Sequence, residues 1–351
     1  MNPLPKLSVV VPVYREALAI RTNAERLRSA LLPHRERFTY ELIFVNDGSP
    51  DESLRLLQEL RGRYPGEIGV VNLVRNFGQV AAIFAGLSAA TGDCAAVISA
   101  DLQDPPELIP EMVAKWRAGA RTVIAERGAR EDNLSSKLTS RIFYSLMQAY
   151  ALPSLPPTGF DFFLIDRTVI DRMVARPEPN GFLQGQVLFA SGGVERISYK
   201  RSKRLSGQSG WPFFKKLKYF IDGFIAYSFM PMRVISLAGV ALFALGIVAA
   251  IALVIQRVTY GTRSAGWTSV MIALVLLHGS EMLMIGIVGE YLWRTLEQAR
   301  NRPLFMIDFQ DLPETQSPGG ERRPESAENA PGAGASPVLR HDRAARDTEL
   351  G

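Results

Sequence analysis

Hydrophobic residues fall in short, nearly unbroken blocks along the first half of the chain. Leu7 to Tyr14 (LSVVVPVY), Glu41 to Asn46 (ELIFVN), Ile68 to Val74, Ala95 to Ser99 and Arg121 to Ala125 each read as a strand. Helical stretches lie between them, the first starting near Glu16. Strands without polar alternation are buried on both faces, which predicts a mostly parallel α/β sheet. Ligands on such sheets bind beyond the carboxyl ends of the strands. The polar residues at those ends are Tyr14, Asp47, Arg75 with Asn76, and Asp101 with Asp104. Further on, a helix is expected from Leu134 to about Tyr150, then a Pro-rich turn and a strand over Phe162 to Ile165.

The second half follows a different pattern. Phe213 to Met230 mixes Lys with Phe, Tyr and Ile, which suits an amphipathic helix lying in a membrane interface. Val234 to Ile255 carries no charge and is long enough to cross roughly 30 Å of hydrocarbon as a helix. Trp267 to Gly289 is nearly as apolar but carries His278 and Glu281, three apart, whose expected role is packing between spans or protomers. Two adjacent spans predict a transmembrane hairpin. The resulting division is a catalytic domain over 1–211, an interfacial helix over 212–231, the hairpin over 232–292 (spans 234–255 and 267–289), a juxtamembrane segment over 293–312, and a Pro-, Gly- and Ser-rich tail over 313–351 expected to be disordered.

Charge and cysteine content then place this architecture. Basic residues cluster from Lys200 through Lys218, just before the first span, where they would attract anionic lipid. The positive-inside rule puts the first domain in the cytoplasm, at a bacterial inner (plasma) membrane crossed twice, although Arg257 and Arg263 mildly weaken that bias. The N-terminus lacks the basic-then-apolar pattern of a signal peptide. A net charge of +5 over 351 residues argues against a nucleic-acid partner. Cys94 stands alone, so no intramolecular disulfide is expected.

The segment Ser99-Ala100-Asp101-Leu102-Gln103-Asp104-Pro105-Pro106-Glu107 stacks two carboxylates and an amide between a strand and a helix. If it is extended, Asp101 and Gln103 point the same way and could face one hard cation. Spacing alone favours an acidic turn capping a Pro-started helix. Asp51 reads as the cap of the next helix and Asp47, at the strand tip, as the ligand contact; Gly78 permits close backbone approach.

Taken in order, Val10-Val11-Pro12-Val13-Tyr14-Arg15-Glu16, Asn46-Asp47-Gly48-Ser49-Pro50-Asp51, Arg75-Asn76-Phe77-Gly78 and Ala100-Asp101-Leu102-Gln103-Asp104-Pro105-Pro106 resemble the motifs of family 2 glycosyltransferases with a GT-A fold. The resemblance is strongest to the polyprenyl-phosphate glycosyltransferases, whose second membrane helix is also echoed by Gly286-Ile287-Val288-Gly289-Glu290-Tyr291-Leu292 and Asn301-Arg302-Pro303-Leu304. It implies a GT-A nucleotide-sugar-binding domain with a mostly parallel sheet, then interfacial helices and a two-helix transmembrane hairpin. It implies that Pro12, Tyr14, Glu16 and Asp47, with Asn76, Gly78 and Ala100, bind the nucleotide sugar. Asp101 and Gln103 would hold Mg²⁺ or Mn²⁺; Ser99 replaces the family's first carboxylate and is a weaker ligand.

Asp104 matches the residue near the reacting sugar. Arg127 and Arg130 match the acceptor-phosphate arginines, and Arg201 and Arg204, with Ser206-Gly207-Gln208-Ser209, match a basic loop over the site. Where that loop often reads Ser-Lys, this chain has Ser209-Gly210 and lacks one charge. Asp161, in Thr158-Gly159-Phe160-Asp161-Phe162, would position the acceptor or the loop, or simply start a strand. The implied reaction is inverting transfer of a sugar, UDP-glucose first, to undecaprenyl phosphate, with homo-oligomers left open. A processive polysaccharide synthase would carry a Gln-x-x-Arg-Trp motif and a longer channel of helices, both absent here. A catalytically inactive membrane scaffold with a GT-A shell is the non-enzymatic alternative, and the intact Asp101, Gln103 and Asp104 argue against it.

Overall fold

The computed structural model describes residues 3–127, 145, 147–149, 152–157, 159–178, 182–199, 228, 230–260, 266–300 and 302–313. Strands β1 (Lys6–Val13), β2 (Thr39–Asn46), β3 (Ile68–Leu73), β4 (Cys94–Val97), β5 (Thr122–Arg127), β6 (Phe163–Asp166), β7 (Glu195–Tyr199) and β8 (Ile307–Asp311) form one sheet in the order β7-β5-β6-β4-β1-β2-β3-β8. Parallel pairing joins β3, β2, β1 and β4 in turn, and β5 to β7. β6 runs antiparallel between β4 and β5, and β8 antiparallel to β3. The mostly parallel α/β sheet predicted from the apolar blocks is therefore present.

Those blocks are unbroken because successive residues feed different cores. Val9, Val11 and Val13 of β1 pack with Leu42 and Phe44 of β2 against α1 (Ile20–Leu31), α2 (Ser53–Arg63) and α4 (Ile109–Arg117). Val10, Ile43 and Val45 pack on the other face against α3 (Gln79–Ala89), α5 (Arg167–Ala175) and α6 (Leu183–Ser191). α3 lies very close to the sheet: a Cβ at Gly86 would come within 2.3 Å of Val10.

The chain order reverses at β1. It steps from β1 to β2 and β3 on one side, then returns to place β4 on the other. The crevice beyond the carboxyl ends of β1 and β4 is thus the topological switch point, where ligands of open α/β sheets bind.

Two strands lie outside the elements read from the sequence. β7 and β8 are the two edges, short and with largely exposed residues, so neither shows the apolar run that marks a central strand. β8 falls within the segment read as juxtamembrane and is instead the outer strand of the catalytic sheet. The expected hairpin corresponds to two long helices, α7 (Met230–Tyr260) and α8 (Trp267–Arg300). α8 extends past the span read as ending at Gly289, because the chain from Glu290 to Arg300 contains neither Pro nor Gly to stop it. Among the described residues no helix is long and apolar enough to cross a membrane. The expected helix over 134–150 is described only at 145 and 147–149, where it is helical. Most of the interfacial helix and all of the tail beyond Pro313 lie outside the described residues.

Candidate active site

Four strand-end loops surround the switch point, and side chains of one satisfy the backbone of the next. After β1, Arg15 takes a left-handed φ of 58°. Its N–H donates to Ser49 Oγ at 3.2 Å, that of Glu16 to Ser53 Oγ at 3.0 Å, and that of Ala17 to Asp51 Oδ2 at 3.2 Å. Asp51 also accepts from the Ser53 N–H at 3.2 Å. It lies one residue before the N-cap position of α2, which is Glu52 and makes no side-chain cap bond, so the expected cap is not formed. Burial alone would raise the Asp51 pKa, but these hydrogen bonds outweigh that and hold it below the usual carboxylate value.

Asp47 joins the second loop to the third. Its two carboxylate oxygens accept from the N–H groups of Phe77 at 2.7 Å and Gly78 at 2.9 Å, and its carbonyl accepts from Asn76 Nδ2 at 3.3 Å. Gly48, with φ of 58°, lets the two loops touch: a Cβ there would lie 2.4 Å from the carbonyl carbon of Arg75. Burial raises the Asp47 pKa, and the two amide donors only partly offset it.

The acidic loop is a tight turn, the form that spacing alone favoured, and not the extended segment in which Asp101 and Gln103 would point the same way. Leu102 N–H donates to Ser99 carbonyl oxygen at 3.1 Å, and Leu102 sits at φ of 43°. Positive φ is costly for a bulky residue and persists only where its surroundings enforce it. Here the Leu102 side chain is locked into the core, while Asp101 and Gln103 on either side remain half-exposed. Asp101 Oδ1 accepts the Gln103 N–H at 3.4 Å. α1 anchors this turn: Asn23 Nδ2 donates to the Ala100 carbonyl at 2.8 Å, and Arg26 pairs with Glu107 at 3.3 Å. Asp104 is fully buried and accepts a hydrogen bond from the Tyr199 hydroxyl.

Arg127 ends β5 directly beside Tyr199 in the β5–β7 register, so the topology brings the acidic loop, β5 and β7 to one corner. Pro12 and Glu16 are half-buried, Ala100 is buried, and Tyr14, Asn76 and Asp161 are exposed. Asp161 lies within 3.5 Å of Gln184 Nε2. Arg130, Arg201 and Arg204 lie outside the described residues. Asn23 and Tyr199 escaped the sequence reading. The signal for Asn23 was a poor helix former in a helix interior; Tyr199 carried none, as its partner is 95 residues away.

The donor set suits a hard divalent cation. Asp101 and Gln103 supply oxygen donors from one turn that Ser99 begins. Among the described residues no three His, Cys, Asp or Glu side chains gather into a closed cage. An ion held by one carboxylate leaves coordination positions for substrate phosphates and water, as Mg²⁺ sites commonly do. A surface depression lined by Trp116, Arg121, Asp166 and Thr168 lies at the opposite, amino-terminal edge of the sheet and holds none of these groups.

Residues 8–174 match the family described as Glycosyl transferase family 2. The chain is 36% identical over 301 residues to an uncharacterized glycosyltransferase, YkcC, of Bacillus subtilis (strain 168), covering 86% of this chain and 92% of the relative. It is 31% identical over 303 residues to a prophage bactoprenol glucosyl transferase homolog of Escherichia coli (strain K12), covering 86% and 98%. Among solved structures, a mannosyltransferase, PcManGT from Pyrobaculum calidifontis, in complex with GDP-Man and Mn²⁺, matches at 18% identity with a TM-score of 0.48, covering 81% and 84%.

Proposed function

The chain belongs to glycosyl transferase family 2, and on that premise we propose that this glycosyltransferase moves glucose from UDP-glucose to undecaprenyl phosphate with inversion. The observation that carries the reading is the 31% identity to a bactoprenol glucosyl transferase homolog across 98% of that protein. A match to 86% of this chain cannot leave out α7 and α8, so the likeness includes the helices as well as the catalytic sheet.

The enzyme acts at the cytoplasmic face of a bacterial inner membrane, anchored by the apolar runs 234–255 and 267–289 as a two-span hairpin, although the described part of neither α7 nor α8 is by itself long and apolar enough to cross. In support, Leu237, Val240, Leu245, Val248, Val258 and Leu292 on these helices are all exposed, a cost in water that lipid removes. The basic run from Lys200 to Lys218 would face anionic head groups.

The acceptor phosphate is already an anion, so the site needs no strong general base. Its oxygen attacks C1 of the sugar as the bond from C1 to the diphosphate oxygen breaks, which inverts the anomeric centre. The tasks left to the protein are to hold two anionic substrates together and to support the departing charge. Tyr14, exposed just beyond β1, would contact the base, and Asp47 holds the 47–51 and 75–78 loops together beside it. Arg127, Arg130, Arg201 and Arg204 clamp phosphate oxygens. Asp101 and Gln103, with Ser99 as a weak addition, would hold Mg²⁺ or Mn²⁺, which supplies Lewis-acid neutralisation of the diphosphate.

The test is transfer by the full chain in lipid nanodiscs, given undecaprenyl phosphate, Mg²⁺ or Mn²⁺, and a panel of labelled sugar nucleotides. Lipid-linked glucose is the expected product. No lipid-linked product from any donor would sink the proposal, and product from another donor alone would replace the sugar.

A further inference from the structure

The return of the chain from α8 to the sheet ends in a hydrogen-bonded relay that reaches the active-site loops. Asn72 of β3 pairs with Phe309 and Leu73 with Ile307, so neighbours on β3 face residues two apart on β8. Asp308 is the extra residue of this bulge, and bulges re-aim the side chain they carry. Asp308 Oδ2 accepts from Asn72 Nδ2 at 3.0 Å, and Asn72 Oδ1 accepts from Asn46 Nδ2 at 2.8 Å. Asn46 Oδ1 then accepts the Ser49 N–H at 3.4 Å, and Ser49 Oγ accepts the Arg15 N–H at 3.2 Å. Asn46 and Asn72 are buried, with 1% and 7% exposure, so water does not offer them alternative partners.

The order of donors along this relay is set from one end. A carboxylate only accepts, so Asn72 must turn its amino group toward Asp308 and its oxygen toward Asn46. Asn46 must then turn its own oxygen toward Ser49. Without the carboxylate either amide can flip, and a flipped Asn46 would point its amino group at the Ser49 N–H, donor against donor.

We propose that Asp308 is a positioning residue for the nucleotide end of the active site, acting through Asn72 and Asn46 on the 47–51 turn. The proposal rests on the reading of that edge as a nucleotide-sugar site. It makes the site's geometry depend on chain that lies beyond both long helices.

The experiment compares the full-length protein with Asp308→Ala, Asp308→Asn and Asp308→Glu by amide hydrogen exchange, UDP binding calorimetry and transfer kinetics. In the Ala and Asn variants the Ser49 and Arg15 amides should exchange about tenfold faster while the β3 amides paired to β8 keep their protection. UDP affinity should fall and donor KM rise about fivefold, with kcat changed less than twofold and Tm unchanged. Asp308→Glu, which keeps an acceptor-only end, should recover part of both. Should Asp308→Ala misfold, the isosteric Asp308→Asn carries the comparison. Unchanged exchange at Ser49, or faster exchange with unchanged UDP affinity, would overturn the proposal. A wild-type protein that binds no nucleotide would defeat the parent reading instead, and exchange alone would then decide the relay.

Discussion

Glu41 and Asp47 stand at opposite ends of β2, each with 3% of its surface exposed, and the fold shifts their acidities in opposite directions. Burial by itself raises both. At Glu41 that is more than reversed by Lys6 Nζ at 2.8 Å, the Ser8 hydroxyl at 2.6 Å and the Thr91 N–H at 2.8 Å. Asp47 has two amide donors and, among the described residues, no cation paired with it, and stays above its usual value. The amino-terminal edge of the sheet therefore closes its charge internally and serves stability. At the carboxyl-terminal edge the charge is left less compensated, which suits a region that must receive a ligand and counter-ion.

The largest effect should come from Asp101→Asn at the carboxyl edge: transfer should fall about a hundredfold or more, with the thermal midpoint unchanged. Activity near wild type would remove Asp101 from the metal site and blur the contrast between the edges. Glu41→Gln should do the reverse, lowering unfolding free energy by about 2–3 kcal/mol in urea titration while kcat/KM stays within about twofold. The pH dependence sharpens this. Glu41 is held below 4.5, so it stabilises the fold above that pH and loses its contribution as the pH falls through its lowered folded value. The stability gap between wild type and Glu41→Gln should accordingly narrow as urea titrations move below that pH.

Burial holds Asp47 above the usual carboxylate value, so it lends stability while protonated at low pH and that contribution is lost as the pH rises through the raised value. Asp47→Asn sets an amino group against one of the two backbone N–H donors, and should cost about 1–2 kcal/mol and also raise donor KM. A change in stability without any change in KM would make the two edges alike. The smallest effect is expected from Arg26→Ala, an exposed pair with Glu107: about 0.5 kcal/mol or less, because such pairs are screened by water.

Much of the fold was legible in advance, and the exceptions share a cause. β1 to β6 appear within a few residues of their apolar blocks, since burial on both faces leaves a local mark. The edge strands β7 and β8 are covered on one side only, and β8 joins β3 across more than two hundred residues, so no local window contains the pairing. The same limit applies inside the site. The loops were found, and a turn was among the forms read for the acidic loop; that Leu102 is its positive-φ residue depends on a core pocket that spacing cannot display.

The sequence by itself determined a parallel α/β sheet, the strand-end positions of its polar motifs and the apolar character of the two late helices, all of which follow from side-chain pattern over short distances. The tertiary structure alone decided how each acidic group is used. Asp47 is tied to the Phe77 and Gly78 amides, Asp104 to Tyr199 and Asp308 to Asn72, while Asp101 stays half-exposed in its turn. A carboxylate's role depends on the donors within about 3 Å of it, and in a sheet of this topology those donors arrive from distant parts of the chain.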